Sequence, residues 1–162
     1  MLLSRYILDA RAFNDKDEER GLYWSSCSIC KWLNNDFAAQ AFNDNEKKQL
    51  YTPNDIVLCS EILWIITKED ISSRDIGERV FLLSHKDIAK YFPGDSEIDC
   101  PGASAQATAY AETKNFSGSW WLRSSSTRNP IAYIVSPEDK ISYALIKPEV
   151  LNGIRPAIWI KL

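Results

Sequence analysis

At Ser119 the chain changes period. Before it, apolar residues recur every three or four positions between polar connections; after it, "SWWLRSS", "IAYIVS", "KISYALI" and "GIRPAIWIKL" read as strands separated by turns. Helices early and an antiparallel sheet late predict an α+β domain. Between the second and third of these strands, "PEDK" reads as a hairpin connection in which Pro137 presets φ and Asp139 tolerates the turn. Side chains alternate along a strand, so Trp121 and Arg123 are expected on one face and Trp120, Leu122 and Ser124 on the other. Gly153 is expected to mark a bulge or a close backbone approach, and Pro156 an edge or irregular ladder position.

The earlier part of the chain carries helix signals. Ser25 or Ser26 can cap a helix whose apolar stripe is Ile29, Leu33, Phe37 and Ala41, with Cys30 and Trp32 beside it. Asn43 with Glu46 three residues later starts a second, short helix reaching Leu50. Residues 55–68, rich in Ile, Val and Leu, suit a strand in a partly buried setting, and "RVFLLS" a short strand ending at Ser84. Ser84 with Asp87 starts the next helix, which Pro93 and Gly94 stop; His85 reads as its first residue. A further Ala-rich helix, "SAQATAYAETK", is expected with Ser104 as its cap. The polar stretch 14–21 reads as a surface loop.

Size and charge narrow the function classes. The 162 residues suit one domain, residues 1–162. With 19 basic against 22 acidic side chains there is no broad cationic field for a phosphate backbone, so no nucleic-acid partner is expected. No apolar stretch approaches the ~20 residues of a membrane-spanning helix. Charges at Arg5, Asp9 and Arg11 deny the start the apolar core of a secretory signal. As given, the chain is expected to be cytoplasmic, or a mature piece of something longer at a cell surface or outside it.

The cysteines Cys27, Cys30, Cys59 and Cys100 are expected to be reduced and buried as small apolar groups. Structural zinc needs four convergent ligands, and only "CSIC" forms a close pair. That pair is similar to the motif of thioredoxin-like proteins, where a helix N-terminus lowers the first thiol's pKa. In such a reading Cys27 attacks and Cys30 resolves. The motif should then follow a buried strand, whereas "NDKDEERG" precedes it here. No cofactor is implied.

"SRYILDARAFN", "CKWLNNDFAAQAF", "VFLLSHKDIAKYF", "WWLRSSS" and "GIRPAIWI" occur in an order that resembles a family of bacterial domains of unknown function. The family pattern runs from a strand through a W-L-N helix and an L-L-S strand to a paired Trp with Arg-Ser, and closes on Gly-x-Arg-Pro-Ala. Domains of this family usually begin with additional strands, which implies a start inside the domain at Leu2. The paired Trp and the terminal Arg-Pro are similar to those of C-type-lectin-like domains of the formylglycine-generating-enzyme kind and of retroelement-diversified binding proteins. The resemblance implies a C-type-lectin-like fold. Two family activities do not carry over. Calcium-dependent sugar binding needs clustered carboxylates, and "SSSTRNPIAYIVS" has none; cysteine oxidation needs late paired thiols, and no cysteine follows Cys100.

Candidate contact residues gather late in the chain. Trp120, Trp121 and Arg123 either form a stacking and hydrogen-bonding platform or belong to the sheet core. Arg155 either anchors an anionic ligand or pairs with an internal carboxylate. The connection Ser125, Ser126, Thr127, Arg128 and Asn129 is polar, joins two strands and offers Arg128 with no acid nearby in sequence. His85 has no nucleophile motif such as G-x-S-x-G to serve. The expectation is a non-catalytic binding module with a saccharide or protein partner. The alternatives are a structural domain of a larger surface or phage protein, and a thiol redox protein using Cys27 and Cys30.

Overall fold

The structure, a computed structural model, describes residues 1–51 and 78–160. The strand expected over 55–68 and Cys59 lie outside the described residues. Two sheets and several short helices are present. The larger, five-stranded sheet is built from β2 (Asp9–Ala12), β5 (Trp120–Ser125), β6 (Ile131–Val135), β7 (Ile141–Leu145) and β8 (Leu151–Ile154), in the order β2-β8-β5-β6-β7. Its pairs are antiparallel except β5 with β8, which meet in parallel at Trp120 and Gly153, so the sheet is mixed where an antiparallel one was expected. In the smaller sheet β9 (Ala157–Ile160) pairs with β1 (Leu2–Leu3), β3 (Leu50–Tyr51) and β4 (Val80–Phe81). "GIRPAIWI" therefore makes two strands, with Arg155 and Pro156 at the passage from one sheet to the other.

The larger sheet has apolar residues packed on both faces. Trp121, Ala132 and Ile134 join Phe13, Ile29 and Leu33 in one buried cluster, while Trp120, Leu122, Val135 and Ile141 join Ile7, Phe81 and Ile88 in another. Gly153 permits this closeness, because a Cβ there would meet Ile7 and Phe116 side-chain carbons at 2.5 and 3.1 Å. The β6–β7 hairpin turns at Pro137 to Asp139 as expected, with Asp139 left-handed at φ 57°.

The first helical rod departs from the expected stripe. It is α1 (Ser28–Trp32), a π-helical turn (Leu33–Phe37) and α2 (Ala38–Ala41). Cys27, not Ser25 or Ser26, is the N-cap; its Sγ accepts from Cys30 N–H. The π turn inserts an extra residue, so the buried face runs Ile29, Leu33, Ala38, and Ala41 points to solvent. Asn34 gives the physical reason: its Nδ2 donates both to Cys30 O at 3.0 Å and to Val80 O at 2.9 Å, inserting a side chain into the helical ladder. Its Oδ1 accepts from the N–H groups of Arg79 and Val80, which fastens the rod to β4.

Two capping boxes stand where expected. Asn43 with Glu46 starts α3 (Asp44–Gln49), and Ser84 with Asp87 starts α4 (His85–Tyr91). The Ala-rich segment is helical only as α5 (Ala109–Glu112), capped by Thr108 rather than Ser104. Residues before it run extended beside Ile7, whose N–H donates to Gln106 O and whose carbonyl accepts from Thr108 N–H. Tertiary pairing there overrides helix propensity.

Candidate functional site

The residues read as either a platform or sheet core lie inside the protein. Trp120 and Trp121 are fully buried, and each indole N–H donates to a backbone carbonyl, Ala103 O at 3.1 Å and Arg11 O at 2.8 Å. Arg123 is buried as well: Nη1 donates to Leu82 O at 2.9 Å, Nη2 pairs with Asp87 Oδ2 at 2.9 Å, and Cζ lies 5.2 Å from the Phe81 ring centroid. The Arg123 guanidinium thus touches residues of both clusters, Leu82 beside Trp121 and Phe81 beside Trp120. Trp120 and Leu122 fall in one cluster and Trp121 in the other as alternation requires, and the β5–β6 register shifts between Trp121 and Ser125. Arg155 is buried and pairs with no carboxylate among the described residues; Nε donates to Ser4 O, Nη1 to Ala103 O, and Cζ lies 5.2 Å from the Trp120 ring centroid. Burial lowers its pKa from the usual guanidinium value. These four residues are buried and bonded to groups of the protein's own interior.

The thiols are equally inaccessible. Cys27, Cys30 and Cys100 are free and buried. Burial pushes Cys27 up to about 12, and it raises Cys30 as well, with the Glu78 carboxylate adding to the shift; burial pushes Cys100 up to about 11. A redox pair needs the opposite, a thiol whose pKa is lowered. Among the described residues no group of three or more His, Cys, Asp or Glu could hold a metal ion. His85 opens α4 as expected and stacks on Tyr133 with centroids 5.7 Å apart.

The connection between β5 and β6 does reach the surface. Thr127, Arg128 and Asn129 are exposed, whereas Ser125 and Ser126 hold the loop in place. Ser125 Oγ donates to Leu22 O, and Ser126 Oγ accepts from the N–H groups of Arg128 and Asn129. Ser126 N–H donates to Ile131 O, and its carbonyl accepts from Leu22 N–H. Gly21 packs directly under this loop, where any Cβ would collide with the carbonyl of Ser126. Arg128 has no ion pair among the described residues. The loop thus presents a guanidinium and an amide on a backbone held at Ser126, Arg128 and Asn129.

A second concave surface, of about 320 Å³, has no counterpart in the sequence reading. Arg11, Asp15, Lys31, Trp32, Asn35 and Asp36 line it. The Arg11 guanidinium carbon sits 3.9 Å from the Trp32 ring centroid, and its Nε donates to the buried Asp9 carboxylate at 3.0 Å. No sequence signal joins Arg11 to Trp32, because the π turn that sets this side of the rod arises from Asn34 bonding to a distant strand.

Helices combined with a mixed sheet define an α+β domain. The chain belongs to a family described as a domain of unknown function (DUF6273), whose profile matches residues 1–162. No curated protein and no solved structure matches it.

Proposed function

We propose that this chain is a non-catalytic binding module, a single domain of C-type-lectin-like architecture, whose contact loop is Ser125, Ser126, Thr127, Arg128 and Asn129. The observation that carries this reading is the loop itself. Its backbone is held from within by Ser126 and from below by Gly21 and Leu22, while Arg128 stands exposed with no ion pair among the described residues. A pre-ordered loop loses little freedom on binding, so its donors act on affinity. A guanidinium forks onto carboxylates, and the flanking Thr127 and Asn129 add neutral hydrogen bonds. The ligand class is therefore an acceptor-rich partner, an acidic saccharide or a protein segment bearing Asp or Glu. The motif order "WWLRSSS" to "GIRPAIWI" and the late sheet support the lectin-like architecture.

The test is a thermal melt of the purified chain against panels of acidic and neutral saccharides and acidic peptides, since a ligand of the folded state raises the midpoint. An acidic member is expected to shift the melt, and Arg128→Ala to abolish that shift without lowering the melting temperature of the unliganded protein. Shifts from neutral ligands that survive Arg128→Ala, or a flat panel, would refute the reading.

A further inference from the structure

β7 is the outermost strand of the five-stranded sheet, and only one end of it is covered. Ile141 N–H points away from β6 and donates to Ile98 O at 2.7 Å, and Cys100 N–H donates to Asp139 O at 2.9 Å. Peptide groups alternate in direction along a strand, so the N–H and C=O groups of Tyr143 and Leu145 also point away from β6. Among the described residues no backbone group meets them. The side chains of the same two residues are 65% and 48% exposed. Proteins ordinarily blunt such an edge with Lys, Pro or a bulge. Residues 142–145 carry none of these, and their register with β6 is unbroken.

We propose that this edge is a self-association surface, on which a second copy of the chain lays its own β7 antiparallel and continues the sheet across a two-fold axis. The register follows from which groups are open. Ile141 is occupied by Ile98, so a two-fold centred on Tyr143 would set Leu145 against a blocked residue. A two-fold centred on Ala144 pairs Tyr143 of each copy with Leu145 of the other, and every outward N–H and C=O of both residues finds a partner. Each pairing also covers a Tyr with a Leu. Charge agrees with this choice of occupant. Lys147, whose Nζ stands 3.9 Å from the Glu149 carboxylate in an exposed pair that a stronger acidic site can replace, lies just beyond the open end of β7, while the covered end adjoins a depression lined by Asp95, Asp99, Glu138 and Asp139. The antiparallel two-fold brings Lys147 of one copy towards the acidic depression of its partner, at both ends of the interface.

Sedimentation over a concentration series tests this. The wild-type chain is expected to dimerise reversibly, and Leu145→Lys to raise the dimer Kd at least tenfold with the circular dichroism of the dilute protein unchanged. Lys147→Glu is expected to weaken the dimer, and Glu138→Lys in the same chain to restore it. Register is read by disulfide trapping: across a two-fold at residue 144 the facing Cα atoms lie about 4.5 Å apart, within disulfide range. Ala144→Cys should cross-link between copies under mild oxidation, and Ser142→Cys should not. A chain monomeric at the highest concentration, or a dimer that Leu145→Lys leaves intact, overturns the proposal.

Discussion

Replacing Arg123 with Met is expected to cost about 3–4 kcal/mol of folding stability, whereas the same replacement at Arg155 is expected to cost about 1 kcal/mol. Both are buried arginines, and the difference lies in what each would leave behind. Without Arg123, the Leu82 carbonyl loses its Nη1 donor in the interior, a penalty of roughly 1–3 kcal/mol. Asp87 loses its counter-charge as well. Stranding a buried ion typically costs about 3–5 kcal/mol, and the lower end applies because the Asp87 carboxylate keeps both Ser84 bonds and is part-exposed. Without Arg155, the Ala103 carbonyl still accepts from the Trp120 indole, and the Ser4 carbonyl is within reach of water. No carboxylate among the described residues is stranded, and removing a charge taken out of water offsets the lost bonds. Urea unfolding followed by tryptophan fluorescence measures the two costs, provided the m values agree with wild type. Equal costs, or a larger one at Arg155, would refute the reasoning that orphaned partners rather than buried charge decide the matter.

Two further perturbations have defined outcomes. Gly21→Ala is expected to displace the 126–129 loop, accelerating amide exchange at Arg128 and Asn129 and lowering the melting temperature; unchanged exchange at those two amides would show that the loop does not rest on Gly21. The thiols predict an alkaline instability. Folded Cys27 holds its proton up to about 12 against an ordinary 9.0, so the unfolded chain binds fewer protons above pH 9; stability is full below that pH and falls from there towards pH 12. Native-state alkylation of Cys27, Cys30 and Cys100 is expected to be slow at pH 8, and rapid modification of any one by mass spectrometry would contradict its burial.

What could be read from the sequence was local. The capping boxes at Asn43 and Ser84 and the left-handed Asp139 follow from bonds or conformations a residue needs wherever its chain goes, and at Gly153 the missing side chain signals a close approach without naming Ile7 and Phe116 as what approaches. What could not be read depends on distant partners. The π turn exists because Asn34 bonds to Val80, and the helix at "SAQATAYAETK" shrinks because Ile7 pairs with Gln106 and Thr108. The motifs that carry the family resemblance share this character. Arg123 of "WWLRSSS" is tied to Leu82 and Asp87 of "VFLLSHKDIAKYF", and Arg155 of "GIRPAIWI" lies against Trp120, so the residues easiest to recognise maintain the interior. The exposed loop has no comparable signature; what sets it apart is its support, which includes a contact with Gly21 more than a hundred positions away.

β1 and β2 pair with β9 and β8, so these two early strands find their ladder partners among residues 151–158. A ribosome releases those partners well over a hundred residues after the strands they pair with. Until β8 and β9 emerge, Leu2, Leu3 and the β2 backbone must wait without these ladder partners, and the larger sheet can close only after β8 has emerged. Closure over such sequence separation is slow, which lengthens the time during which open edges can meet other nascent chains. Removing a few residues from the β8–β9 segment would therefore take away the site on which both early strands assemble, rather than merely fraying the sheet at one end.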